Sequence, residues 1–320
     1  MAPIVRWGAI FALLATLSRV LPPYALELAT RIEIFAIFAA SLDLLVGYVG
    51  LTSLGHAAFF GFAGYAVGLA AAAITDSGLL ALLAALAATL AMALIFSALA
   101  LRASGVYFLM LTLALAQIIW GVALQWRSLT GGDDGMPAIV RPLIGTVRFS
   151  DAADFYLLTT VCFAICLSLL LLIVRSPFGL SLEGIRESPS RMSSLGYNVW
   201  LHRYIASIVA GLLAGWAGAL QAWHTGIVTP NQLGLVTSAE ALLMVILGGT
   251  GTIVGPVIGS IVIVLVEFVI NRYTERWLSV LGVIYILVVV AAPRGLYPMV
   301  HRQILRLWRG SGTAISADRG

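Results

Sequence analysis

Residues 26–61 read LELATRIEIFAIFAASLDLLVGYVGLTSLGHAAFFG, and this stretch decides the fold class. Its first part, up to residue 47, has the length and apolar character of a membrane-crossing helix, which needs roughly 20 residues. Closely spaced glycines from Gly47 to Gly61 then interrupt the helix, and a second apolar stretch follows to residue 75. Irregular backbone at membrane depth is tolerated only where protein buries it or where it lines a water-filled cavity. The stretch therefore predicts a helical membrane protein with a broken helix.

The composition of the whole chain points the same way. Of its 320 residues, 61% are hydrophobic and 10% are charged, and the mean hydropathy is +1.04. Soluble domains have about 25% charged residues, so a soluble enzyme, a disordered protein and a secreted disulfide scaffold are all excluded. The net charge is +4, but the arginines lie between apolar stretches rather than on one face, which argues against a nucleic-acid partner. Cys162 and Cys166 share a helix face without further ligands, so no metal site is predicted.

Apolar stretches recur along the chain, and we predict an all-α polytopic membrane protein with about ten transmembrane segments. Their residues run continuously rather than alternating, so no strands are predicted. The first stretch resembles a signal peptide but lacks an A-x-A cleavage site, which favours an uncleaved helix. Residues 1–293 form the predicted transmembrane domain, and 294–320 form a basic tail with a disordered end. The apolar stretches are residues 4–21, 26–47, 55–75, 78–101, 105–127, 154–174, 204–224, 237–249, 253–270 and 278–293.

Arginine placement predicts the orientation in the membrane. Loop 175–203, the turn at Arg102 and the tail are rich in arginine. Short loops with excess arginine remain in the cytoplasm, so we expect a cytoplasmic C-terminus. The glycine- and aspartate-rich loop 128–153 is then expected on the opposite, outer side of the membrane. Arg19 and Arg31, near the first outer turn, do not follow this charge rule.

Two glycine-rich breaks are the predicted substrate pathway. Transporters place substrate contacts at broken helices, although glycines also allow helices simply to pack closely. The second break lacks the Lys and the Gly-x4-Gly-Lys-Ser/Thr pattern of a phosphate loop, so nucleotide binding is not expected there. The backbone breaks are Gly47, Gly50, Gly55, Gly248, Gly249 and Gly251. The side chains expected along the pathway are Asp43, Ser53, His56, Phe59, Phe60, Thr250 and Thr252.

Ionisable side chains inside apolar stretches are functional candidates by default. They are Asp43, His56, Glu240 and Glu267. We expect Asp43 to be buried and to accept hydrogen bonds from free backbone N–H groups of the neighbouring break. Glu240 and Glu267 are expected near a membrane interface.

Loop 175–203 is predicted to form two short helices at the membrane surface. Phe178, Leu182 and Ile185 recur at helical spacing, Ser188 and Pro189 have N-cap and N1 character, and Gly196 can close the second helix. The interpretation is a docking element for a soluble partner, and the alternative is a solvated loop that only obeys the charge rule. The docking residues would be Leu182, Glu183, Gly184, Ile185, Arg186, Glu187, Arg191 and Gly196.

Several motifs in this order resemble the permease subunits of ABC importers for branched-chain amino acids, and the M-type subunit more than the H-type. Asp43 stands where the resemblance leads us to expect Asn. The motifs cover roughly residues 30–295 and are LDLLVGY at 42–48, SLGHAAFFG at 53–61, GVYF at 105–108, LTLA at 111–114, TGGD at 130–133, GIRE at 184–187 and GGTGT at 248–252.

The resemblance implies a transport subunit rather than an enzyme, located in the bacterial inner membrane. It would work with an H-type permease subunit, two cytoplasmic ATPase subunits that bind ATP and Mg²⁺, and a periplasmic substrate-binding protein. This chain would supply half of the translocation pathway, including Tyr107, and one docking loop, with no cofactor of its own.

Two other functions remain open at this stage. A self-contained secondary transporter would use Asp43 and Glu240 as coupling carboxylates. A passive channel would conduct without any energy source. The solute itself, whether a branched-chain amino acid, urea, an amide or an organic acid, does not follow from the sequence.

Overall fold

The computed structural model describes residues 21–73, 77–137, 139–144 and 147–273, together with scattered residues near both ends. This part of the chain is a set of packed helices. They are α1 Pro23–Asp43, α2 His56–Ala73, α3 Gly78–Ala100, α4 Val106–Gln125, α5 Arg127–Thr130, α6 Ala152–Arg175, α7 Pro177–Glu187, α8 Pro189–Ser194, α9 Val199–Thr225, α10 Leu235–Gly248 and α11 Val254–Ile270. A π-helical turn, Leu44–Val49, extends α1, and 3-10 turns lie at Gly132–Asp134 and Pro230–Leu233.

The predicted apolar stretches between residues 26 and 270 all coincide with helices. Five helices are long and apolar enough to cross a membrane, namely α1 with its π-turn, α3, α4, α6 and α9, whereas α2, α10 and α11 are apolar but shorter. Stretches 4–21 and 278–293 and the tail lie largely outside the described residues. The helical class is confirmed, but a count of about ten crossings is not.

One short hairpin lies in a loop of the described part of the chain. Leu143–Ile144 (β1) and Val147–Arg148 (β2) pair antiparallel between the 3-10 turn at Gly132–Asp134 and the start of α6. The pairing is only two residues long and lies between helices, so it does not change the helical class. The hairpin packs beside the start of α3 through a bridge between Ser77 and Leu143.

Helix α1 is the centre of the core, and α6, α9, α10 and α11 pack around it. Small residues bring the surrounding helices into backbone contact. A β-carbon at Gly218 of α9 would collide with the Phe60 carbonyl group of α2. Membrane helices commonly associate through such small residues, because close backbones gain van der Waals contact. The glycines outside the breaks therefore position the helices.

The loop after α6 folds as predicted into two short helices. The Ser176 hydroxyl accepts from the Gly179 amide at the start of α7, and the Ser188 hydroxyl accepts from the Arg191 amide at the start of α8. Pro177 and Pro189 occupy the first turns, where a missing N–H costs nothing. Gly196 follows α8 with a positive φ of 90°. The capping expectations for Ser188, Pro189 and Gly196 are confirmed.

Candidate functional site

The two glycine-rich breaks meet each other at one end of α1. Asp43, 2% exposed, is the last residue of α1, and its Oδ1 accepts a hydrogen bond of 2.9 Å from the Gly251 amide in the second break. A β-carbon at Gly47 would collide with both the Gly251 amide and the Asp43 carboxylate. The predicted backbone N–H partner of Asp43 exists, but it comes from the second break rather than the neighbouring one. We call this contact region the glycine junction.

Arg186 of α7 attaches the surface helices to the glycine junction. Its Nη1 donates a hydrogen bond to the Gly47 carbonyl oxygen. A β-carbon at Gly50, whose φ is 78°, would lie 2.8 Å from Cγ of Arg186. The positive φ and the close approach both require glycine at position 50. Arg186 therefore links α7 to the backbone of the first break.

The predicted docking residues divide into three groups by burial. Leu182 and Ile185 are fully buried within this chain, where they hold α7 against the helix bundle, and a docking role for them stays a prediction. Glu187, Arg191 and Gly196 are exposed. Glu183 and Gly184 are partly buried, and Met192 of α8 packs against Gly184.

Most of the predicted pathway side chains lie inside the helix packing. His56 is fully buried; its Nε2 is 2.8 Å from the Ser41 hydroxyl, and its ring stacks on Phe38. Ser53 is 2% exposed and accepts from the Gly55 amide. Neither residue lines the cavity near Arg31 that is described below. These contacts fix the start of α2 against α1, and a pathway role for the two residues stays a prediction.

The remaining pathway residues lie in different places. Phe59 packs edge-on against Phe96, with ring centroids 4.8 Å apart. Thr252 lies within the second break, where its hydroxyl donates to the Gly249 carbonyl and accepts from the Gly255 amide. Thr250 is exposed beside it. Tyr107, at the start of α4, is 76% exposed.

Phe60 lines a separate cavity of about 710 Å³ near the other end of the helices. Arg31 also lines it and lies three turns before Asp43, so the cavity is about 18 Å from the glycine junction along α1. Arg31 Nη2 donates to both carboxylate oxygens of Glu267, at 2.7 and 2.8 Å. The other lining residues are Phe35, Leu113, Gln117, Trp120, Gln221, Asn231, Gln232, Gly234, Leu235, Val236, Thr237 and Glu240.

Sequence reasoning missed this cavity as a site. It treated Arg31 only as a departure from the charge rule, and it placed Glu240 and Glu267 at a membrane interface. The available signal was that polar residues recur near the same ends of α1, α9, α10 and α11. Their convergence depends on helix packing and could not be read from spacing along the chain.

The described residues thus form long apolar helices with a polar cavity near Arg31 at one end, and two short helices beside the glycine junction at the other. Comparison with known proteins defines the class. Residues 24–292 match the family described as the permease component of the branched-chain amino acid transport system, and the chain belongs to this family.

Individual relatives have related transport roles. The chain is 27% identical over 308 residues to the high-affinity branched-chain amino acid transport system permease protein LivM of Escherichia coli K12, covering 87% of this chain and 71% of the relative. The LivM protein of Salmonella typhimurium is also 27% identical, over 310 residues, with 88% and 71% covered. The autoinducer 2 import system permease protein LsrC of Yersinia enterocolitica is 27% identical over 186 residues, with 55% and 50% covered. No solved structure matches this chain.

Proposed function

We propose that this chain is the M-type permease subunit of an ABC importer for branched-chain amino acids or a related small polar solute. It forms half of the translocation pathway beside an H-type permease subunit in the bacterial inner membrane. Two cytoplasmic ATPase subunits bind ATP and Mg²⁺ and hydrolyse the ATP, and a periplasmic binding protein delivers the solute. The C-terminus and the α7–α8 pair are on the cytoplasmic side.

The observation that carries this proposal is the construction of the α7–α8 pair. Its apolar residues Leu182 and Ile185 are buried in the helix bundle, while Glu187 and Arg191 are exposed. Arg186 connects the pair to the first glycine-rich break. A protein that binds the exposed face can therefore move backbone inside the bundle, which is what coupling to an external ATPase requires.

Exposed apolar side chains on α3, α4 and α6 support a membrane location and contact with a second permease subunit. Large aliphatic side chains project outward on each of these helices, for example Ile95 at 65%, Ile118 at 63% and Leu172 at 69% exposure. Such surface is stable only in contact with lipid or with another apolar helix. The pathway residues Thr250, Thr252 and Tyr107 would then face the second permease subunit.

Site-specific photo-crosslinking tests the docking assignment. A photoreactive amino acid at Glu187 should crosslink the subunit to the ATPase encoded with it when both are expressed together in membranes. The same amino acid at exposed Asp134 in the outer loop is the control and should not. A self-contained secondary transporter would give no ATPase crosslink at either position, and that result would refute the docking assignment.

A further inference from the structure

The cavity near Arg31 has more negative than positive charge. Among its lining residues that the structure describes, the charged ones are Arg31, Glu240 and Glu267. Arg31 and Glu267 neutralise each other through the two short contacts from Nη2. Glu240 interacts electrostatically with both, but it makes no hydrogen bond within the described part of the chain. Among the described residues, the Glu240 carboxylate thus has no hydrogen-bond donor.

The neutral polar groups of the cavity add further acceptors. Gln221 is 8% exposed, and its buried Oε1 has no hydrogen-bond partner among the described residues. Gln232 donates through Nε2 to the Ile227 carbonyl at 3.4 Å, while its own buried Oε1 is also without a partner there. A buried acceptor without a donor is destabilising. A ligand that brings several N–H donors would remove this cost.

The rest of the wall is apolar. Phe35, Phe60, Leu113, Trp120 and Leu235 contribute aromatic and aliphatic surface. The volume of about 710 Å³ is within the range of small-molecule sites, roughly 300–1,000 Å³. An ammonium group has three donors and a positive charge, and an aliphatic body fits the remaining wall.

We propose that this cavity is a solute-binding site within the subunit, which selects small aliphatic molecules by an ammonium group that Glu240 and the amide oxygens of Gln221 and Gln232 bind. Because the Arg31 cation already pairs with Glu267, a carboxylate on the solute is not required. The inference rests on the proposed transport function and adds the class of solute and the residue that recognises it.

Equilibrium binding to the purified full-length chain in lipid nanodiscs tests this site without nucleotide or ATPase. Three probes share one branched aliphatic chain: L-leucine, 3-methylbutylamine, which lacks the carboxylate, and 4-methylpentanoate, which lacks the ammonium group. We expect leucine and the amine to bind and 4-methylpentanoate to bind at least tenfold more weakly. The proposal is overturned if 4-methylpentanoate binds as tightly as the ammonium probes or more tightly, or if leucine or 3-methylbutylamine does not bind.

Substitution of the recognising carboxylate gives a second test. Glu240→Gln keeps the size of the side chain but removes its negative charge. The charge-assisted hydrogen bond to the ammonium group becomes a weaker neutral one, so both ammonium probes should bind roughly 10- to 100-fold more weakly. Glu27→Gln, an exposed position on the same end of α1, is the matched control and should bind like the wild type. Unchanged affinity in Glu240→Gln refutes the role of Glu240. Either failure leaves ATP-driven uptake possible, so the proposed function is judged separately.

Discussion

Substitutions at Asp43 test whether its carboxylate has a structural role or carries a coupling proton. Its Oδ1 accepts from the Gly251 amide at 2.9 Å, and Gly47 leaves no space beside it. In Asp43→Leu the Gly251 amide loses its acceptor, which costs about 1–3 kcal/mol. The branched side chain also crowds Gly47, and overpacking costs about 1–3 kcal/mol more. In Asp43→Asn an amide oxygen of similar position still accepts the bond, so the expected loss is about 1 kcal/mol.

These differences are large enough to measure as thermal stability. A free-energy change of 1 kcal/mol shifts Tm by about 2–4 °C in chains of 150–250 residues, and somewhat less in this longer chain. We expect Asp43→Leu to melt roughly 3–10 °C below Asp43→Asn when tryptophan fluorescence of the solubilised protein is followed on heating. Asp134→Leu, at an exposed position after α5, is the control and should melt like the wild type.

Uptake by the same variants gives the functional half of the prediction. Asp43→Asn should retain most transport, because the junction between the two breaks is preserved. In a secondary transporter the same variant would lose gradient-driven uptake, because an amide does not carry the coupling proton. The reasoning is refuted if Asn and Leu variants melt alike, or if Asp43→Asn is stable but inactive.

Two further predictions concern other parts of the chain. We expect two substitutions to uncouple ATP hydrolysis from uptake while the subunit still inserts: Glu187→Lys on the exposed face, and Gly184→Leu, whose side chain would push Met192 and α8 away from α7. The ratio of the hydrolysis rate to the uptake rate measures the coupling, and a normal ratio in both variants would contradict the docking assignment. Gly218→Ala should destabilise the protein by about 1–3 kcal/mol, because the new β-carbon would collide with the Phe60 carbonyl group. Gly121→Ala is the control: a β-carbon there has no neighbour within 4 Å, so this variant should be neutral or slightly stabilising in the same melting assay.

Helix positions and caps could be predicted from the sequence because their signals are local. The apolar stretch from residue 26 onward predicted α1, and Ser188 with Pro189 predicted the start of α8. The same holds for Gly196, because glycine readily adopts the left-handed conformation that commonly ends a helix. In each case the deciding residues lie within a few positions of the structure that they form.

Contacts between distant segments could not be predicted in this way. Asp43 is bonded to Gly251 rather than to the break beside it, and the bond joins residues 208 positions apart. The apolar spacing of Leu182 and Ile185 identified a helix face but not what covers it. The cavity depends on Arg31, Glu240 and Glu267 from three helices, whose convergence is a property of packing.

Solute uptake into proteoliposomes measures the central claim most directly. The full complex would be reconstituted with both permease subunits, the ATPases and the binding protein, and labelled leucine uptake would be followed with ATP or with an imposed proton or sodium gradient. We predict uptake that requires ATP and the ATPases and that a gradient alone does not drive. Gradient-driven uptake by this chain without its partners would contradict the account.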